Sequence, residues 1–123
     1  MIVSFIVGAV SLGMVFLYGC LGEIITEKAG HLNLGIPGVM CLGTAGGVVG
    51  VSMYMGMLSD PTQPSYLLIL LFAVVFSALF GAFGGAIYGF LTVSLRCNQN
   101  ITGLALTTFG AGFAQYIIGA ADK

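Results

Sequence analysis

Gly22-Glu23-Ile24-Ile25-Thr26-Glu27-Lys28-Ala29-Gly30-His31-Leu32-Asn33-Leu34-Gly35-Ile36-Pro37-Gly38 is the stretch on which the reading of this chain turns. The whole chain has three Lys and Arg, four Asp and Glu and one His, and this stretch holds Glu23, Glu27, Lys28 and His31. Segments apolar enough to cross a bilayer lie on either side of it. A polar, glycine-bearing island followed at once by another apolar span suggests a helix interrupted for a purpose. Transport is the first such purpose to consider.

Composition points the same way. Only 6% of the residues are charged, against about 25% in an ordinary soluble domain. The apolar share is 59%, Trp is absent, and the mean hydropathy is +1.12. So few charges cannot cover the surface of a soluble domain, and the expected class is an all-α integral membrane protein in contact with the lipid bilayer. The net charge of −1 offers no basic patch for nucleic acid or anionic headgroups. Cys20, Cys41 and Cys97 are odd in number and far apart, with no CxxC, and read as small buried apolar side chains rather than a disulfide or metal set. The N-terminal apolar stretch lacks a Lys/Arg n-region and a small-x-small cleavage site, so it reads as a retained transmembrane helix.

About 20 apolar residues are needed to cross the hydrocarbon core. Four stretches qualify, at 2–21, 36–58, 66–95 and 101–120, with an interrupted region between the first and second. Pro37 suits the first turn of the second helix, where its missing N–H has no cost. Asp60-Pro61-Thr62-Gln63-Pro64-Ser65 reads as a polar turn, and Arg96-Cys97-Asn98-Gln99-Asn100 as the break before the fourth span. With four crossings, Lys28 and Arg96 fall on one side and Lys123 on the other. Lys and Arg favour the cytoplasmic side, which places the N-terminus outside and the Glu23–Asn33 island towards the cytoplasm.

Small residues recur where helices would touch. Gly43, Gly46, Gly47 and Gly50 form overlapping GxxxG pairs in the second span, and Gly81, Gly85 and Gly89 form two pairs end to end in the third. Without a Cβ, backbones approach closely and gain van der Waals contact. Packing within the chain, a groove for another subunit, and backbone lining a substrate path are all open readings of these stripes.

Glu23 and Glu27 are one helical turn apart, and share a face if the first helix continues past Leu21. They read as solvated charges at a helix end or, with Lys28, as a charge motif that holds a broken helix. No nucleophile, oriented base or ligand cluster accompanies them, so catalysis and metal binding are not expected. His31 reads as a hydrogen-bonded interfacial residue. Asn33, beside Gly35, Pro37 and Gly38, can either bind a neutral polar solute or cap the restarting helix. Asn98, Gln99, Asn100 and Thr102 form a second uncharged cluster. There Asn100 and Thr102 suit N-caps of the fourth span, or the cluster joins Asn33 at a substrate path, with Thr107 and Thr108 on the helix that follows.

Leu21-Gly22-Glu23, Glu27-Lys28-Ala29-Gly30, Asn33-Leu34-Gly35 and Gly38 together resemble the N-terminal motif of the permease subunits of bacterial ABC importers for nucleosides and simple sugars. That group is related to the ribose and branched-chain amino-acid permeases. Asn98-Gln99-Asn100-Ile101-Thr102-Gly103-Leu104-Ala105-Leu106 resembles the second signature of the same group, with Phe109-Gly110 continuing it. Three residues depart from the pattern: Lys28 stands where Arg is common, His31 replaces an apolar residue, and Pro37 occupies the place of the usual acid. The resemblance covers the whole chain but only the N-terminal portion of such a permease. It implies a subunit of the bacterial inner membrane with no cofactor and no chemistry of its own. A cytoplasmic ABC ATPase would drive it, a second permease subunit, identical or paralogous, would complete the path, and an extracytoplasmic substrate-binding protein would deliver the solute. The resemblance also implies that the breaks at Asn33–Gly38 and Asn98–Thr102 line or support the path. Islands of amides and hydroxyls suit a neutral polar solute better than an ion.

Two other classes compete. A self-contained four-helix exporter should carry its Glu in the middle of the first helix, whereas Glu23 follows the whole apolar run. A small dual-topology ion channel suits the weak Lys/Arg bias and the glycine-rich helices, but no central ion-coordinating feature is found.

Overall fold

The computed structural model describes residues 1–58 and 64–121. Residues 60–63 of the polar turn expected at Asp60–Ser65, and the end at Asp122-Lys123, lie outside the described residues. Four helices follow one another: α1 (Ile2–Lys28), α2 (Ile36–Met57), α3 (Tyr66–Gly89) and α4 (Gln99–Ala121). A π-helical turn, Phe90–Ser94, extends α3. All four helices are long and apolar enough to cross a membrane, α3 together with its extension.

The spans are as expected, but several ends move. α1 runs seven residues beyond the expected Leu21, so Glu23, Glu27 and Lys28 are helical and the interruption itself is only Ala29–Gly35. Glu and Lys are good helix formers, and hydropathy marks where lipid ends rather than where a helix does. Gly30, at φ +86°, ends α1. Its N–H donates to the Glu27 carbonyl at 2.9 Å and the His31 N–H to the Thr26 carbonyl at 3.1 Å, the paired bonds of a left-handed C-terminal cap. Lys28 in the last turn suits the negative end of the helix dipole.

α3 closes differently. Leu95 N–H reaches the Phe90 carbonyl and Cys97 N–H the Leu91 carbonyl at 3.0 Å, across Arg96 at φ 51°. α4 then starts at Gln99, two residues earlier than expected. Its cap is Asn98, whose Oδ1 accepts from Asn100 N at 3.0 Å and Ile101 N at 3.3 Å. Asn100 and Thr102 are therefore inside the helix and are not its caps. The left-handed Arg96 turns the chain just before Asn98 and leaves that residue in the capping position.

Among the described residues α2 is the centre of the bundle, packed against α3 and α4, whereas α1 approaches only α2 and buries no residue. Burial runs against hydropathy: α1 and α3 are the most apolar helices and the least buried, while α2 and α4 are less apolar and most buried. In lipid, apolar side chains gain little by leaving the solvent, so close packing decides which helices associate.

That packing is antiparallel between α2 and α3. A Cβ on Gly46 would meet the Phe76 carbonyl oxygen at 2.6 Å and Phe80 Cβ at 2.7 Å. One turn on, a Cβ on Gly50 would meet the Phe72 carbonyl oxygen at 2.6 Å. Another turn on, Tyr54 packs on Phe72 with ring centroids 5.5 Å apart. The ridge Phe72, Phe76, Phe80 thus lies in a trough floored by Gly46 and Gly50. Gly43 stands close to Ser77, and Gly47 is in ordinary contact with the same segment.

The stripe on α3 does not behave as expected for packing within the chain. Nothing among the described residues lies within 4 Å of a Cβ placed on Gly81, Gly85 or Gly89. Gly84 faces inward instead, against Leu42 and Val39, because the face of α3 that meets α2 passes through residues 72, 76, 80 and 84. The buried apolar cluster joins α2, α3 and α4 through Leu42, Tyr88 and Leu106. Cys20, Cys41 and Cys97 are free thiols, but Cys20 and Cys97 are exposed and Cys41 is half-buried, so the expectation of burial fails for two of them.

Candidate functional site

An unwound segment between two apolar helices leaves backbone groups without helical partners, and each must be satisfied some other way. In the break between α1 and α2 the partners are side chains from α1, α3 and α4. The Leu32 N–H donates to Gln99 Oε1 of α4 at 2.8 Å, and the Asn33 N–H to Glu23 Oε1 of α1 at 3.1 Å. The Tyr88 hydroxyl of α3 donates to the Leu32 carbonyl at 2.7 Å, and the Thr107 hydroxyl of α4 to the Leu34 carbonyl at 2.8 Å. Asn33 closes the segment itself, its Oδ1 accepting from the Gly35 N–H at 2.9 Å. The break is thus a junction where four helices meet in hydrogen bonds.

This geometry places each residue expected at the site. Asn33 is buried at 7% exposure, and its side-chain oxygen accepts from the Gly35 N–H in the turn before α2, whose own N-cap, Gly35, has no side-chain cap. Gly35 and Gly38 are the seats of α4. A Cβ on Gly35 would lie 3.3 Å from Gly103 Cα, and one on Gly38 would run into the Leu106 carbonyl oxygen and lie 2.6 Å from Thr107 Cα. Gly110 meets the Gly38 backbone in return. Gln99 joins the two polar clusters directly through Leu32, as Asn98 cannot while its own Oδ1 caps α4. Asn100 is exposed and Thr102 is buried. Glu23 turns into the junction, whereas Glu27 and Lys28 stay exposed.

Two polar atoms at this end are buried without a hydrogen-bond partner, Glu23 Oε2 and His31 Nδ1. Native structures rarely leave a carboxylate oxygen so, which makes Glu23 the least settled member of the junction.

Tyr88 and Thr107 are the members that the sequence reading did not place at the junction. Thr107 was located on the right helix without a partner. Tyr88 had a readable signal, since a lone phenol deep in an apolar helix needs an acceptor for its O–H.

Grooves open on either side of the junction. One of about 590 Å³ lies between α1 and α2 and is lined by Phe16, Cys20, Glu23, Asn33, Met40 and Cys41, among others. Another of about 610 Å³ follows the α3/α4 seam past Cys97, Asn98 and Thr102. Asn33 and the pair Asn98 and Thr102 therefore line different grooves, whereas Asn98, Gln99 and Asn100 share a third, of about 440 Å³, with Leu32 of the break.

Comparison with known proteins follows from this architecture. Residues 2–123 match the family described as branched-chain amino acid transport system / permease component. A Haloferax volcanii protein, TsgC13, named for the permease of a glucose ABC transporter, is 38% identical over 102 residues, covering 83% of this chain and 27% of that protein. The nucleoside ABC transporter permease protein NupC of Lactococcus lactis subsp. cremoris is 24% identical over 102 residues, covering 83% of this chain and 30% of that protein. The chain thus spans less than a third of the length of these curated relatives. No solved structure gives a significant match.

Proposed function

This chain belongs to the branched-chain amino acid transport system permease-component family, and from that premise we propose that it forms part of the membrane-spanning subunit of an ATP-driven importer. The cargo is a neutral polar solute of the sugar or nucleoside class. The observation that carries this reading is the junction, where Glu23, Tyr88, Gln99 and Thr107 hold an unwound segment between two membrane-spanning helices. Broken helices of this kind are tolerated where protein or a solute path surrounds them. The sugar and nucleoside transporters named for the relatives support the cargo class, as does a junction built mainly of amides and hydroxyls.

The subunit works with a cytoplasmic ATPase, a second permease subunit and an extracytoplasmic solute-binding protein. Lys28 and Arg96 flank the junction end of the bundle, which supports a cytoplasmic junction and an outside N-terminus in the plasma membrane of the cell. Asn33, Gly35, Gly38, Asn98, Gln99, Asn100 and Thr102 line or support the path, with Gly35 and Gly38 in the supporting role.

The test is uptake of labelled glucose and of labelled nucleoside by membrane vesicles holding the full-length subunit, with and without its ATPase. Accumulation that needs both ATP and the ATPase is expected. Proton-driven efflux or single-channel current from the membrane subunit alone would overturn the importer reading in favour of a self-contained transporter or channel.

A further inference from the structure

We propose that α1 is a hinged arm, pivoting at Gly30 and latched to the junction by Glu23, whose swing opens the groove between α1 and α2. Three observations meet here. First, among the described residues α1 buries none of its own and approaches only α2. Its seam is thin: a Cβ on Gly19 would come within 3.2 Å of Met40 Sδ, a flexible tip, and one on Gly22 within 3.4 Å of Ile36 Cδ1. Contacts with flexible side-chain ends slide apart more readily than the backbone seats that join α2 to α3 and α4.

Second, the connection can bend at one place. From Leu32 onward the break is held by Gln99, Tyr88 and Thr107, which belong to α3 and α4. Between that anchored segment and the last turn of α1 stands Gly30, at φ +86°, with open space where a Cβ would be. Rotation there releases the bond from the His31 N–H to the Thr26 carbonyl, carries α1 as a unit and leaves the junction from Leu32 onward in place.

Third, the arm is fastened by one side chain with a spare acceptor. Glu23 Oε1 accepts from the Asn33 N–H, while Oε2 is buried without a partner. A carboxylate that is only half satisfied holds the closed position less firmly than a fully bonded one, and gains solvation when the arm swings out. The groove thus uncovered is the one of about 590 Å³ that Cys20, Met40 and Cys41 line. Identifying this groove as a gate to the solute path rests on the transporter reading; the hinge itself does not.

The native thiols report the motion. Cys41 is half-buried in the groove, while Cys97 is exposed beyond the end of α3, beside Leu32 and Gln99 on the anchored side of the hinge that the swing leaves in place. Vesicles holding the intact transporter are treated with a membrane-permeant maleimide, and modification of each cysteine is followed by peptide mass spectrometry. In Glu23→Ala, Cys41 should react about tenfold faster or more, the effect of losing a hydrogen bond to a charged acceptor, while the Cys97 rate stays unchanged. Glu23→Gln keeps an acceptor oxygen for the Asn33 N–H and should restore the slow Cys41 rate. An unchanged Cys41 rate in Glu23→Ala, a parallel rise at Cys97, or a Gln variant that behaves like Ala would each overturn the latch. Labelling needs no transport, so uptake measured beside it separates the two claims. The expected labelling without ATP-dependent uptake overturns the importer reading and leaves the hinge, and intact uptake with unchanged labelling does the reverse.

Discussion

Replacing Gly38 by Ala tests whether α4 rests on the backbone of α2. The new Cβ would run into the Leu106 carbonyl oxygen and lie 2.6 Å from Thr107 Cα, so both nearest obstacles are backbone. Ordinary contact begins at 3.4 Å, and the helices must therefore part by at least about 0.8 Å. A gap of that size forfeits about a quarter to a half of the dispersion attraction between the atoms it separates, and overpacking of this kind costs about 1–3 kcal/mol. The displacement also strains the bond from the Thr107 hydroxyl to the Leu34 carbonyl, which is worth about 1 kcal/mol. Exchange of Gly for Ala in a helix returns about 1 kcal/mol, leaving a net loss of about 2 kcal/mol. Gly85→Ala is the matched control, because nothing stands within 4 Å of its Cβ position. It should be neutral or stabilise by up to about 1 kcal/mol. Helix content followed by circular dichroism in lipid–detergent micelles of increasing SDS fraction measures the pair, whose midpoints should separate by about 2–3 kcal/mol. Equal midpoints, or a Gly85 variant as weak as the Gly38 variant, would refute the seating of α4 on α2.

Two further outcomes follow from the junction. Tyr88→Phe removes the hydroxyl that donates to the Leu32 carbonyl and should destabilise the protein by about 1–2 kcal/mol, seen in the same micelle titration. Asn98→Ala removes the cap of α4 and should cost about 1 kcal/mol, whereas Asn100→Ala should change the midpoint by no more than a few tenths of that.

Much of this was legible before the structure, because lipid imposes a simple demand on composition. Four apolar runs with polar interruptions yield four helices, and the GxxxG pairs at Gly43–Gly50 mark a face that α3 does occupy. The matching stripe at Gly81–Gly89 was misleading for a physical reason. Small residues make a flat face but do not say what it faces, and the register set by Phe72, Phe76 and Phe80 turns Gly84, not its neighbours, towards α2. The end of α1 was misplaced because the charges of Glu23, Glu27 and Lys28 lower hydropathy without lowering helix propensity.

The junction was half legible. The polar residues at 23–38 and 98–102 announced a site, but which backbone group each side chain would meet depends on how α3 and α4 cross α2. Tyr88 illustrates this. It sits in the most apolar helix, 56 residues from the carbonyl it serves, and only the packing of Leu42, Tyr88 and Leu106 brings it there. In sequence Asn98 and Gln99 stood only as members of the polar cluster, with Asn100 and Thr102 as the cap candidates. The left-handed Arg96 turn made Asn98 a cap, and the approach of α4 to the break made Gln99 a clamp.

The central claim is that side chains from α1, α3 and α4 hold the break between α1 and α2 as an ordered junction. Amide hydrogen exchange across residues 31–35, measured on the protein in lipid nanodiscs, tests it most directly. The account predicts protection at Leu32, Asn33 and Gly35, with Gln99→Ala releasing the Leu32 amide and Glu23→Ala the Asn33 amide. Exchange of all three in the unmodified chain at the rate of an open loop would contradict it.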